Sequence, residues 1–256
     1  MIRTVRSEFI KLRTVMVHWV LATIAVLFPI VVTALVAIFA DVDDVGGFGS
    51  RDLATLIAGL SVVSSMLLGA MSVISITSEY GHNTIRPTYA ATPNRVRVIV
   101  AKVVTNTVTI AVVAAVTVTI SWLVGSLVLS GRDEDIALGD AGVLGSLISI
   151  VVLAVIVSWF GFALGLLVRN SPATVTIFLL WPLLIENLIG LVFTLIGWDD
   201  AGKWLPYSAG IEATVSENEN DFGSEVLGRP NGLIYFAVVS LALLALGAWS
   251  DGRRDA

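Results

Sequence analysis

The sequence predicts an all-α membrane protein with six transmembrane helices, an N-terminal amphipathic in-plane helix and both termini cytoplasmic. Three observations predict it. Of 256 residues, 56% are hydrophobic and only 14% charged, against roughly 25% charged in soluble domains. Mean hydropathy is +0.91. The apolar residues fall in six long runs, where a transmembrane β-barrel would show ~10-residue alternating segments. The fifteen bases also divide unequally between the alternate connections. Such a chain has too little interior to hide this much apolar surface in water. The composition argues against a soluble enzyme, a disordered chain and, with a net charge of −5, a nucleic-acid partner. Zero cysteines exclude a disulfide scaffold, a thiol nucleophile and a Cys-ligated metal.

Residues 1–16, MIRTVRSEFIKLRTVM, place Val5, Phe9, Leu12 and Met16 on one helical face. Arg3, Arg6, Lys11 and Thr14 line much of the rest, which suits a basic helix lying in the headgroup plane. A bilayer core ~30 Å thick needs ~20 apolar residues per helix. Runs meeting that length lie at about 17–40, 53–77, 98–129, 141–168, 173–197 and 232–249. They make a single transmembrane domain of residues 1–256. Six spans put both termini on one side. Eleven of the fifteen bases then share the side of the termini: Arg3, Arg6, Lys11, Arg13, Arg86, Arg95, Arg97, Lys102, Arg169, Arg253 and Arg254. The positive-inside rule makes that side cytoplasmic. Fifteen of twenty acids fall on the other side and four on this one. Glu186 is the one acid within a span.

Two connections are not plain loops. Residues 78–97 hold Gly81, Pro87 and Pro93, so one unbroken helix is not expected there. A short helix at the membrane edge fits. Residues 198–230 begin with an apolar-aromatic stretch, Trp204, Leu205, Pro206, Tyr207, Ile211 and Val215, and then turn acidic. The first half is expected to dip into the outer interface as one or two short helices.

Within the spans, Glu186 sits beside Asn187, and Pro182 precedes them. An intramembrane carboxylate must face the interior, pair or be protonated. It reads equally as a substrate-contact, gating or proton-linked residue and as a hydrogen bond fixing helix packing. Gly161 and Gly165 form GxxxG in the fourth run, read as internal packing. His18 and His82 have no metal-ligand spacing, and no metal site is expected. Residues 197–204, GWDDAGKW, imitate a phosphate loop, but Trp204 stands where Ser or Thr must hold magnesium. The chain is therefore not read as an enzyme.

The ensemble resembles the membrane (permease) subunit of ABC-2 type transporters. SEFIKLRT at Ser7–Thr14 is similar to the family's elbow helix, with Glu8, Phe9, Lys11 and Leu12 in it. The stretch from Ser78 to Lys102 is similar to its first cytoplasmic connection, with Glu79, Thr84, Arg86, Pro93, Arg95 and Lys102 at the matching places. WLPYSAG at Trp204–Gly210 is similar to its Leu-Pro segment before the last span. Pro87 departs from the pattern, since helical residues are more usual there. The resemblance implies a subunit that binds no cofactor, with ATP and Mg on a separate ATPase chain docked beneath the 78–97 connection. It implies a homodimer or heterodimer of permeases forming the pathway in a bacterial plasma membrane. The sparse polar residues of the spans, among them Thr105, Asn106 and Ser64, favour an amphipathic cargo such as a drug, peptide or lipid. The alternatives are a proton-coupled secondary transporter using Glu186 and a membrane scaffold or sensor. Many secondary carriers show an internal repeat, and none is evident between the two halves of this chain.

Overall fold

The computed structural model describes residues 2–39, 48–91, 94–215 and 227–253. Every regular element among them is helical. In order they are α1 (Ile2–Thr14), α2 (Met16–Phe39), α3 (Ser50–Gly81), α4 (Ile85–Ala91), α5 (Arg95–Ser130), α6 (Val143–Val168), α7 (Ser171–Leu180), α8 (Glu186–Leu195), α9 (Pro206–Glu212) and α10 (Asn231–Arg253). Five of these, together with the continuous α7–α8 rod, make six helices long and apolar enough to cross a membrane.

Hydropathy does not say which helices are central. The most apolar stretches of α2 and α6 share a mean hydropathy of 2.7, yet 22% of the first and 67% of the second is buried. Small residues make the difference. Helices in lipid gain little from hiding apolar surface and depend on close packing. On α3 and α6, Gly69 and Gly161 bring the backbones so near that a Cβ on Gly161 would stand 2.8 Å from the Gly69 carbonyl oxygen. One turn on, a Cβ on Gly165 would strike Ile76. The GxxxG of the fourth run is thus an internal seam. α3 and α6 form the centre, α2 and α5 pack along α3, and α10 packs on α6. α7–α8 lies outermost, with 11% of its apolar stretch buried.

Many hydroxyls in the spans bond backbone carbonyls, while those of Thr33, Ser61, Ser121 and Ser240 are buried without a partner. Ser64 donates to Ala25 O at 2.8 Å across to α2, and Thr105 donates to Ala101 O at 2.8 Å in its own helix. An aromatic group ties the other side together. Phe160 meets Trp181 at 5.7 Å and Phe236 at 5.9 Å, and Phe236 meets Tyr207 at 5.7 Å. Such pairs contribute about 0.5–1.5 kcal/mol each beyond burial.

α4 explains how the chain accommodates Pro87. Ile85 begins the helix, so the proline falls in the first turn, where an N–H has no intrahelical partner to lose. The apolar stretch before the last span forms a 3₁₀ turn (Asp199–Trp204) followed by α9. The phosphate-loop imitation lies where α8 ends, with Gly197 at φ +76° and no strand before it. Pro93, residues 216–226 of the acidic stretch and Arg254 lie outside the described residues.

Candidate functional site

Three separate parts of the sequence meet at one end of the bundle. α1 follows the face of α5, and the break at Val15 turns the chain into α2. The contact face of α1 is only partly the apolar one. Phe9 is 51% exposed and Val5 and Leu12 are half-buried, whereas Glu8 is 6% exposed. Glu8 points inward because Lys102, two turns into α5, waits there. The Lys102 ammonium bridges Glu8 Oε2 and Glu79 Oε1. Lys11 Nζ reaches Glu8 Oε1 at 2.8 Å and Glu79 Oε1 at 3.0 Å. Two carboxylates and two ammonium groups thus form one neutral cluster. Burial pulls the Lys11 pKa down, but its bonds to Glu8 and Glu79 and their charge prevail and raise it. Isolated, any of these charges would be costly to bury; together they offset much of that cost.

Beside this cluster lies a second one that sequence reasoning missed. Asp251, 1% exposed at the end of α10, accepts from Tyr80 Oη, from Tyr89 Oη at 2.6 Å and from Arg169 Nη2 at 2.8 Å. Arg95 Nη1 donates to the Asp251 carbonyl at 2.9 Å and its guanidinium lies 5.2 Å from the centre of the Tyr89 ring. Burial, then the bond to Asp251, raises the Tyr89 phenol well above its ordinary value. A signal for this cluster existed. An aspartate in the last turn of a helix faces the negative end of the helix dipole and needs donors to hold it there.

The sequence-predicted coupling residues therefore divide. Glu79, Lys102 and Arg95 hold the helices to one another. Thr84 is exposed, and its backbone N–H donates to Glu79 O at 3.0 Å, ending α3. Arg86 is exposed on α4, as is Arg97 at the start of α5. The elbow residues divide likewise: Glu8 and Lys11 join the cluster, Leu12 is half-buried and Phe9 faces outward.

Glu186 lies elsewhere and is built differently. Pro182 has no N–H for the carbonyl four residues back, and the chain widens into a π turn over Trp181–Ile185. Asn187 Nδ2 donates to the carbonyls of Pro182 at 3.0 Å and Leu183 at 3.1 Å. It thereby satisfies groups that lipid would leave bare. Glu186, 2% exposed, accepts four bonds. Trp181 Nε1 at 2.9 Å and Tyr207 N at 2.9 Å reach Oε1. Ser208 N at 2.8 Å and Ser208 Oγ at 2.9 Å reach Oε2. The carboxylate caps the first turn of α9 from another helix, in the place an N-cap side chain would take. The residue at the N-cap itself, Leu205, has no side-chain acceptor.

His18 Nδ1 lies 3.3 Å from Leu12 O, and His82 Nδ1 lies 2.8 Å from Ser78 O. Among the described residues no three His, Cys, Asp or Glu side chains gather as metal ligands. The sequence matches no protein-family model and no curated protein.

Proposed function

We propose that this chain is the transmembrane subunit of an ATP-driven ABC-2 type exporter, set in a bacterial plasma membrane with both termini cytoplasmic. It would form the pathway with a second permease subunit, and ATP would be hydrolysed on a separate chain docked beneath α4. One observation carries the reading. The elbow and the first connection resemble the family independently, at positions some 70 to 90 residues apart in the chain. Their polar residues, Glu8, Lys11, Glu79 and Lys102, meet in one cluster. A pattern matched by accident in two places has no reason to make contact. The arrangement also supports an in-plane α1, whose apolar residues Phe9 and Ile10 remain outside the bundle for the bilayer.

The cluster couples the elbow rigidly to the base of α3 and α5, and α4 hangs from the same base. Movement imposed on α4 would then reach α1, α3 and α5 together. The amphipathic cargo remains a reading of the sparse polar lining. The four donors around Glu186 favour the packing role over the proton-linked one.

The test is purification of the tagged chain from its native membrane. A chain with a Walker motif is expected to co-purify, and Arg86→Glu, which reverses an exposed charge without touching either cluster, is expected to weaken that association. Unchanged assembly and ATP-dependent transport in Arg86→Glu would remove α4 from the docking surface. Arg95→Glu is the poorer variant, because Arg95 also holds Asp251 and Tyr89.

A further inference from the structure

The ion cluster forms one wall of a cavity of about 400 Å³ between α1, α2, α3 and α5. That falls in the size range of small-molecule sites, roughly 300–1,000 Å³. Several of its polar lining groups are buried and unpartnered. Glu79 Oε1 takes both lysines while Oε2 has no partner. Both side-chain polar atoms of Asn106 and Nε2 of His18 are also without one. These residues are 7%, 3% and 6% exposed, respectively. Because His18 Nδ1 faces the Leu12 carbonyl, that nitrogen carries the proton in the neutral ring and Nε2 is left as an acceptor.

A second space of about 310 Å³ adjoins the first, sharing Leu12 and His18. Its lining is almost wholly apolar, including Phe9, Trp19, Ala22, Met71 and Val113, with Arg13 also on its wall. Water satisfies a polar recess but not an apolar groove. A polar recess opening into an apolar groove beside an amphipathic helix fits an amphiphile.

We propose that this paired space holds one phospholipid with an amine-bearing zwitterionic headgroup. The ammonium would enter the recess beside Glu79 and His18, whose side chains would turn Oε2 and Nε2 toward it, the phosphate would lie toward Lys11 and Arg13, and an acyl chain would fill the groove. The charges select this class. Within the polar recess Glu8 and Glu79 balance Lys11 and Lys102, and the free acceptors there favour a cationic group, while Arg13 on the groove wall supplies a countercharge for a phosphate. The free acceptors ask for N–H donors, which a primary ammonium supplies and a trimethylated one lacks. Lys11, 45% exposed, has a third N–H beyond its two carboxylate bonds.

This inference goes beyond the transport reading and needs only that α1 lie at a membrane surface. The test therefore uses the purified full chain without any ATPase. Native mass spectrometry would titrate delipidated protein with phosphatidylethanolamine, phosphatidylcholine and phosphatidylglycerol of matched chains. The ethanolamine lipid is expected as a one-lipid adduct at about tenfold lower concentration than the others, the worth of one charge-assisted hydrogen bond. Ala22→Phe and Val113→Trp, which fill the groove from two different helices, are each expected to remove that preference. Leu127→Phe, at the far end of α5, is expected to keep it, and thermal melts identify which variants fold. Equal retention of all three lipids would overturn the ammonium assignment. Retention unchanged in both groove variants would overturn the location. Retention of dodecylamine, titrated alongside, with no ethanolamine lipid bound would assign the space to a single-chain amine and overturn the phospholipid assignment. No adduct at all would leave it to water and overturn the proposal.

Discussion

At the basic end of the bundle, Glu8 and Glu79 are buried against Lys11 and Lys102; toward the other end, Glu186 is buried against an indole, a hydroxyl and two backbone amides. Both solve the problem of a carboxylate out of water, by opposite means. The first brings full countercharges from distant segments and locks them together. The second brings only neutral dipoles, and its reward is local, the first turn of α9. A cluster of formal charges is stiff in composition, since losing any member unbalances the rest. A carboxylate among neutral donors tolerates neutral replacement better, because each donor loses one bond and not a countercharge.

The sharpest way to break the comparison is Lys102→Met. It leaves two buried carboxylates to share the half-exposed Lys11. Removing one partner of a buried pair typically costs about 3–5 kcal/mol, and a large fall in the melting temperature of the purified chain is expected. Adding Glu79→Gln to Lys102→Met restores the charge balance and should recover part of the loss. No recovery would mean that packing around the lysine stem, and not charge, holds this end together.

Glu186→Gln should cost less, about 1–3 kcal/mol, because one amide oxygen still accepts while the NH₂ group faces donors. The loss is expected to be local. Hydrogen exchange should quicken at the amides of Tyr207 and Ser208 and stay unchanged around Glu79. A variant that melts like the original yet loses a pH-gradient response in liposomes would return Glu186 to the proton-linked role.

The two sites were legible in the sequence to different degrees, for a physical reason. Glu186 stands out because one acid in an apolar run is conspicuous. Its partners do not, since two of the four are main-chain N–H groups that every residue carries. Glu8, Lys11, Glu79 and Lys102 were each marked by pattern, but nothing in spacing says that residues of α1, α3 and α5 share a point. Asp251 reads in the sequence only as one of the four acids on the side of the termini, and its three side-chain donors come from α3, α4 and the turn before α7. The six spans were readable from hydropathy. The central position of α3 and α6 was not, because their apolarity matches that of the outer helices. The only clue to it was glycine, read correctly at Gly161 and Gly165 but without the partner at Gly69.

The smallest effect separates the two lysines within the charged cluster. Lys102 is buried and Lys11 is 45% exposed, so solvent screens much of what Lys11 contributes. Its pKa is nevertheless raised from 10.5 by Glu8 and Glu79, against the opposing effect of burial. The folded chain therefore holds that proton more tightly than the unfolded chain does. The stabilisation is fully present below the unfolded value of 10.5 and is lost as pH rises through the higher folded value. Melting temperatures of the original and Lys11→Gln chains should differ slightly and constantly at neutral pH, then converge above pH 10.5. A difference that stays constant there would assign the role of Lys11 to its stem packing against the cavity wall and leave Lys102 as the only ammonium whose charge the cluster requires.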